Sequence, residues 1–264
     1  EGKRNLVRLT ISRRYKYSNE ELNHIPSSQI VIVVATGSHR GNTPKELEQM
    51  LGSRVTEYYE VVNHSAFDGE NLVLVGRTQN NTSVWLNRRW IESDIRITTG
   101  FVEPHFFAGF SGGPKMVAPG LAGFQTIMKL HSARLIAHPN SSWGITEGNP
   151  IHDEIREIVS QTGVDFSVDV TINRDREITA IFAGDCLHAH QAACIFARTT
   201  AMQVVPHFFD VVITTNSGFP LDLNLYQSVK GMAAAARIVR PGGAIICASE
   251  CSDGIPENGD YRDI

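Results

Sequence analysis

Six consecutive apolar residues, Ile30 to Ala35, stop abruptly at Thr-Gly-Ser. A short unbroken apolar run closed by turn residues predicts a strand buried on both faces of a parallel sheet. The following TPKELEQMLG sets Thr43 as an N-cap, Pro44 at the first helical position and Glu46 to complete a capping box. Strand, polar loop and capped helix, in that order, predict the first half of a βαβ unit. NLVLVG (71–76) and DIRITTG (94–100) predict further strands, and GLAGFQTIMKLHSARLI predicts a helix. GNPIHDEIREIVSQTG predicts another, with Asn149 as N-cap, Pro150 in its first turn and a glycine at its end. FSVDVTINRDREITAIFAGD reads as two strands around a polar turn, and CLHAHQAACIFARTTAM as a helix.

Near residue 205 the pattern restarts. FDVVITTNSGFP predicts a strand ending in a loop, LYQSVKGMAAAARIVRPGG a helix stopped by Pro241 and glycines, and AIICASE a strand. The expected fold class is α/β: two α/β domains with largely parallel sheets. Residues 1–204 are expected to form the first domain and 205–264 part of the second, with a junction around 200–208. The chain opens on Glu1 and stops at Ile264 after a Gly/Asp-rich turn, so it is expected to be truncated at both ends.

Composition narrows the function classes. Hydrophobic residues make up 42% and charged residues 20%, the balance of an ordinary globular chain. A net charge of −4, with no aromatic-interleaved basic run, argues against nucleic acid as a partner. No apolar run reaches spanning length and no charged-then-apolar leader opens the chain, so the expectation is a cytoplasmic protein without membrane contact. Cys186, Cys194, Cys247 and Cys251 show no C-x-x-C spacing, which predicts buried thiols rather than a zinc site or disulfides.

The stretch EPHFFAGFSGGPKMVAPG, residues 103–120, places His105 and Lys115 on either side of a glycine-rich backbone. It reads either as a plain surface loop or as a ligand cradle, in which bare N–H groups meet an anion. Among ten histidines, three lie where chemistry is expected. His39 follows the first strong strand, at the end where open α/β sheets bind ligands. His105 opens the cradle, and His131 ends the helix after it. His188 and His190 read as decoration of a helix start, and His24, His64, His138, His152 and His207 as structural or surface positions.

ATGSHR, EPHFFAGFSGGPKMVAPGLAG, KLHS, EGNPIHDEI and the long SGFPLDLNLYQSVKGMAAAARIVRPGGAIICASECSDGIP occur in this order. Together they resemble the nickel-dependent lactate racemase family, over about nine-tenths of the chain. The resemblance implies a nickel-pincer nucleotide, a pyridinium mononucleotide whose sulfur-bearing arms and ring carbon grip nickel; it further implies that residues 1–204 carry the cofactor site and that the active site lies in the cleft between the two α/β domains. Cofactor maturation enzymes are implied partners, and a small 2-hydroxy acid the substrate. By position in the motifs, Lys115 matches the lysine that tethers the cofactor, with Ser111, Gly112 and Gly113 before it. His131 matches the nickel ligand, His39 and His105 the acid/base pair, and Tyr226, Gln227 and Lys230 the segment that holds substrate.

The implied isomerase reaction passes a hydride from C2 to the cofactor and back through a flat keto acid, leaving the protein to move only the hydroxyl proton. Two imidazoles, with an ordinary pKa near 6.5, suit that task. One departure stands out: where the family offers an aspartate and, three residues on, an arginine, this chain reads LTISRRYKY, with Arg13 or Arg14 and no aspartate. The resemblance makes lactate the first expectation, and the missing aspartate keeps malate, an aryl lactate or a sugar acid as alternatives. A metal- or cofactor-carrying protein without turnover, and a zinc hydrolase using the same histidines, are the other classes. The hydrolase lacks an H-E-x-x-H spacing.

Overall fold

The computed structural model describes residues 9–11, 25–175, 177–218, 222, 224–252 and 254. The chain forms two compact units, the larger running to Met202 and the smaller beginning at Gln203. Arg13 and Arg14 lie outside the described residues, as does the side chain of Tyr226.

In the larger unit the elements follow as β1 (Leu9–Ile11), β2 (Ile30–Val34), α1 (Pro44–Leu51), α2 (Ser53–Tyr58), β3 (Glu60–Asn63), β4 (Leu72–Arg77) and β5 (Ser83–Asn87). Next come α3 (Arg88–Ile91), β6 (Ile95–Phe101), β7 (Pro104–His105), β8 (Gly109–Phe110), α4 (Phe124–Leu130) and α5 (Ala133–Ile136). The unit ends with α6 (Pro150–Thr162), β9 (Phe166–Ile172), β10 (Ile178–Gly184) and α7 (Cys186–Ala201).

A six-stranded sheet in the order β10-β9-β6-β1-β2-β3 organises this unit. β2 pairs with β3 and β6 with β9 in parallel, while β1 runs antiparallel to both β2 and β6, and β10 antiparallel to β9. β2, β3, β6 and β9 therefore point one way, and the loops after β2 and β6 leave from the same end of the sheet. Val31 and Val33 of β2 join Trp90, Ile127, Leu130, Ile155 and Ile158 in the main core.

Helix signals are obeyed where the sequence spells them out. Thr43 and Glu46 form both halves of the α1 capping box, and the Asn149 side chain accepts from the Ile151 and His152 amides. Other expectations shift. NLVLVG is a strand, but β4 pairs only with β5, as a separate hairpin. The helix over GLAGFQTIMKLHSARLI is two short ones, parted at His131 and Ser132.

The smaller unit contains β11 (Phe209–Thr215), α8 (Leu225–Ala235) and β12 (Val239–Ala248), with β11 and β12 parallel. Pro241, expected to stop a helix, instead lies inside β12. The pairing register shifts between Phe209 and Val211, opposite the stretch holding Pro241 and Gly242, a place that tolerates a residue with no N–H to give. Among the described residues no helix is long and apolar enough to cross a membrane.

Candidate active site

β7 and β8 make a minimal hairpin in which His105 faces Gly109. The Gly109 backbone has φ 81° and abuts the Ile145 carbonyl, a position that only a residue without Cβ can fill. Within the hairpin, the Ala108 amide donates to His105 Nδ1 at 3.2 Å. The neutral His105 ring thus carries its proton on Nε2. Phe106 stacks on this imidazole at 4.9 Å between centroids, and Phe107 meets it edge-on at 4.6 Å.

Phe107 is the hub of the site, a role that no local sequence pattern marks. Its buried ring also meets the His131 ring at 5.1 Å and lies 6.0 Å from Lys115 Nζ. His131 caps the end of α4, where its ring bonds the Ile127 carbonyl at 2.8 Å through Nδ1. A carbonyl only accepts, so Nδ1 is the protonated nitrogen, and a neutral ring keeps its lone pair on Nε2. Burial is the main force holding the His131 pKa below the ordinary value, and the nearby Lys115 and His39 charges push the same way. The Ile127 bond opposes them without winning.

His39 is exposed, in the loop that leaves β2. Its amide donates to the Thr36 carbonyl at 3.0 Å, and the Thr36 hydroxyl donates to the His64 carbonyl at 2.6 Å. His64 itself is buried between Asn87 and the Ala122 carbonyl, a structural histidine as expected.

The glycines of SGGPK meet the fold's own atoms. The Gly113 amide donates to the buried carboxylate of Asp169 at 3.1 Å, and the Ser111 amide to the Glu103 carbonyl at 2.9 Å. A Cβ on Gly112 would sit 2.7 Å from Val102, and one on Gly113 would strike the His190 ring. Ser111, Gly112 and Gly113 thus shape the tight turn that delivers Lys115.

His190 is not a surface decoration. It is 2% exposed, hydrogen-bonds the Ser111 carbonyl at 2.8 Å, and stacks on the equally buried His152 at 5.7 Å between centroids. Burial drives the pKa of His190 down to about 4 and that of His152 to about 3. His188, by contrast, is exposed beside Asp185. Among the described residues no group of three or more His, Cys, Asp or Glu converges to hold a metal ion. Cys186 and Cys194 are buried free thiols, each pushed up to about 12 by burial.

In the smaller unit, the Asn224 side chain caps α8 by accepting from the Gln227 amide, and Lys230 Nζ donates to Gln227 Oε1 at 2.7 Å.

The larger unit is an open α/β sheet with a histidine–lysine cluster beyond the carboxyl ends of its co-directional strands, where such folds take ligands. The chain belongs to the lactate racemase family. Residues 8–144, just over half of it, match the lactate racemase N-terminal domain, and 204–264 match the lactate racemase C-terminal domain. It is 39% identical over 236 residues to the lactate racemase of Thermoanaerobacterium thermosaccharolyticum, covering 89% of this chain and 55% of that protein. It is 38% identical over 240 residues to that of Lactiplantibacillus plantarum, covering 90% and 56%. The chain thus spans about half the length of these relatives. The structure of the Thermoanaerobacterium lactate racemase apoprotein superposes with a TM-score of 0.82 at 39% identity, over 85% of this chain and 54% of that one. A Thermotoga maritima protein shares the fold at a TM-score of 0.60 and 23% identity, over 69% of this chain and 50% of that one.

Proposed function

We propose that this chain is the catalytic part of an isomerase that interconverts the two mirror forms of a small 2-hydroxy acid, lactate first, using a nickel-pincer nucleotide tethered to Lys115. The observation that carries the reading is the gathering of His105, Lys115 and His131 around the Phe107 ring, with the charge of His39 felt at His131.

The donors fit the group. An imidazole whose Nδ1–H is fixed by a backbone carbonyl is the usual arrangement for a metal ligand bound through Nε2, and burial keeps His131 neutral, the form that ligates. Lys115 supplies a primary amine at the end of a turn whose geometry is set by buried contacts. When bound, the nucleotide supplies the acceptor and donor for the hydrogen on C2.

The remaining work belongs to the chain's own side chains. His39 and His105 take the hydroxyl proton and return it, one serving each hand of the substrate. Tyr226, Gln227 and Lys230 hold the carboxylate, the ammonium of Lys230 supplying the charge. The buried free thiols fit a reducing, cytoplasmic compartment.

The test is to produce the chain together with the cofactor maturation enzymes. Intact mass, nickel content and interconversion of L- and D-lactate are then measured, with malate, phenyllactate and a sugar acid as competitors. An adduct on Lys115 with one nickel and racemisation of any of these acids is the expected result. A chain that takes up no adduct under conditions that load a known lactate racemase is not such an enzyme.

A further inference from the structure

The inward face of β9 is its polar one. Along FSVDVTI burial alternates, and the residues it hides are Ser167 and Asp169, both 0% exposed, and Thr171. A strand ordinarily turns its apolar set to the core, and a carboxylate removed from water is costly unless its oxygens are bonded. Departures of this kind concentrate where function requires them.

The bonds of Asp169 lead to the proposed tether. Its Oδ1 accepts the Gly113 amide at 3.1 Å, its Oδ2 accepts the Ser167 hydroxyl at 3.1 Å, and the Thr98 hydroxyl backs Ser167 at 3.0 Å. Gly113 begins the 3-10 turn Gly113–Met116, whose N-cap, Gly112, has no side chain to cap it. Asp169, 56 residues away in sequence, accepts from the first amide of this turn, one of the donors that a helix start leaves without a partner in the helix itself. From α7, His190 grips the same turn at the Ser111 carbonyl and fills the space beside Gly113. Lys115 lies two residues beyond Gly113, its own amide on the Gly112 carbonyl at 3.1 Å.

We infer that Asp169 is a positioning residue: by capping the Gly113 amide from beneath, it fixes the turn that directs Lys115 toward Phe107 and so sets how readily the cofactor becomes tethered. The inference rests on the reading of Lys115 given above. A carboxylate that only filled space in the core would be replaceable by an apolar residue of the same branched shape without effect on the lysine.

Asp169→Leu keeps the branched side-chain skeleton, with methyl groups in place of the oxygens, and removes the acceptor, whereas Asp169→Asn keeps an acceptor oxygen. Both are compared with the parent chain in two measurements: the rate of adduct formation on Lys115 by intact mass during maturation, and amide hydrogen exchange over 111–117 in unloaded protein. The Leu variant is expected to load at least about tenfold more slowly and to exchange at least about tenfold faster at 111–117, with β2 and α6 unchanged. The Asn variant is expected to recover both. Parent-like loading and exchange in the Leu variant, or no recovery in the Asn variant, overturns the inference. If the Leu variant does not fold, Ser167→Ala removes one donor to the carboxylate, and unchanged exchange at 111–117 in that variant also overturns it. Should the parent chain take no adduct, the tether reading fails by itself, while the exchange measurement still decides whether Asp169 holds the turn.

Discussion

The Gly37 amide donates to the Gly120 carbonyl at 3.0 Å, and the Gly120 amide in turn donates to the Lys115 carbonyl at 3.3 Å. The loop bearing His39 is therefore joined to the turn bearing Lys115 through backbone alone, whatever side chains the two loops carry. Gly37 has φ 59°, a left-handed conformation that a Cβ makes costly. Strand order brings the two loops to one end of the sheet, and this bond fixes their spacing.

Lys115→Arg keeps the positive charge and most of the packing on Phe107, but a guanidinium cannot replace a primary amine in a thioamide link. Maturation is expected to leave the variant at its unmodified mass. A persistent adduct would move the tether to another residue.

His131→Ala removes the Nε2 donor but leaves Lys115 in place. The organic part of the cofactor is expected to remain attached while nickel falls well below one per chain, measured by metal analysis beside intact mass. Unchanged nickel content and absorption would rule His131 out as a ligand.

How far these features could be read in advance depended on whether their cause was local. The Thr43–Glu46 capping box and the Asn149 cap are short-range hydrogen-bonding rules, and both stand in the structure. Pro241 reads locally as a helix stop, but its place is set by the partner strand: a register shift against β11 removes the need for an N–H there. His190 reads as a helix-start ornament because nothing in CLHAHQ shows that Gly113, 77 positions earlier, leaves room for its ring. The histidines and lysine of the cluster were legible as motif positions, but Phe107 at their centre was one aromatic among twelve phenylalanines. Polar residues on the buried face of β9 ran against the alternation rule, and only tertiary structure shows what they bond.

Acid should loosen the larger unit through its stacked imidazoles. His152 and His190 have folded pKa values of about 3 and about 4, below the unfolded value near 6.5. The unfolded chain therefore binds more protons between those limits. The stability each neutral ring contributes is complete above pH 6.5 and lost as pH falls toward the folded values. Moving from pH 7 to pH 5 should cost about 2 kcal/mol per ring by this linkage. His190→Gln, which can still donate to the Ser111 carbonyl, should flatten the pH dependence by about that amount in urea unfolding. An equally steep dependence in the variant would show that other groups drive it.

Lys230→Ala should separate binding from chemistry. With Gln227 no longer held by the ammonium and the charge proposed to bind the carboxylate gone, KM is expected to rise about 10-fold or more, the loss of a hydrogen bond to a charged group. Cofactor retention by intact mass should not change. If KM and kcat both match the parent, this segment of α8 does not hold substrate.

The last expectation concerns which hydrogen the two imidazoles handle. If His39 and His105 took the hydrogen on C2, it would pass through exchangeable N–H positions and be lost to water. If they take only the hydroxyl proton, the C2 hydrogen never meets solvent. A 2-deuterated acid is therefore expected to racemise with a primary isotope effect and to keep its deuterium, with a small amount of keto acid trapped by rapid quenching. His39→Ala or His105→Ala should each lower the rate by ~10²-fold or more, the usual loss for a general acid or base. The two variants should also differ in kind: the Ala108 amide bond holds the His105 ring in one tautomer, whereas His39 stands exposed in its loop. Added imidazole is therefore expected to restore more of the rate to the His39 variant than to the His105 variant, whose ring position lies within the Phe106 and Phe107 contacts. Washout of deuterium at the rate of racemisation, with no keto acid, would falsify this division of labour and make the two histidines carbon-acid bases instead.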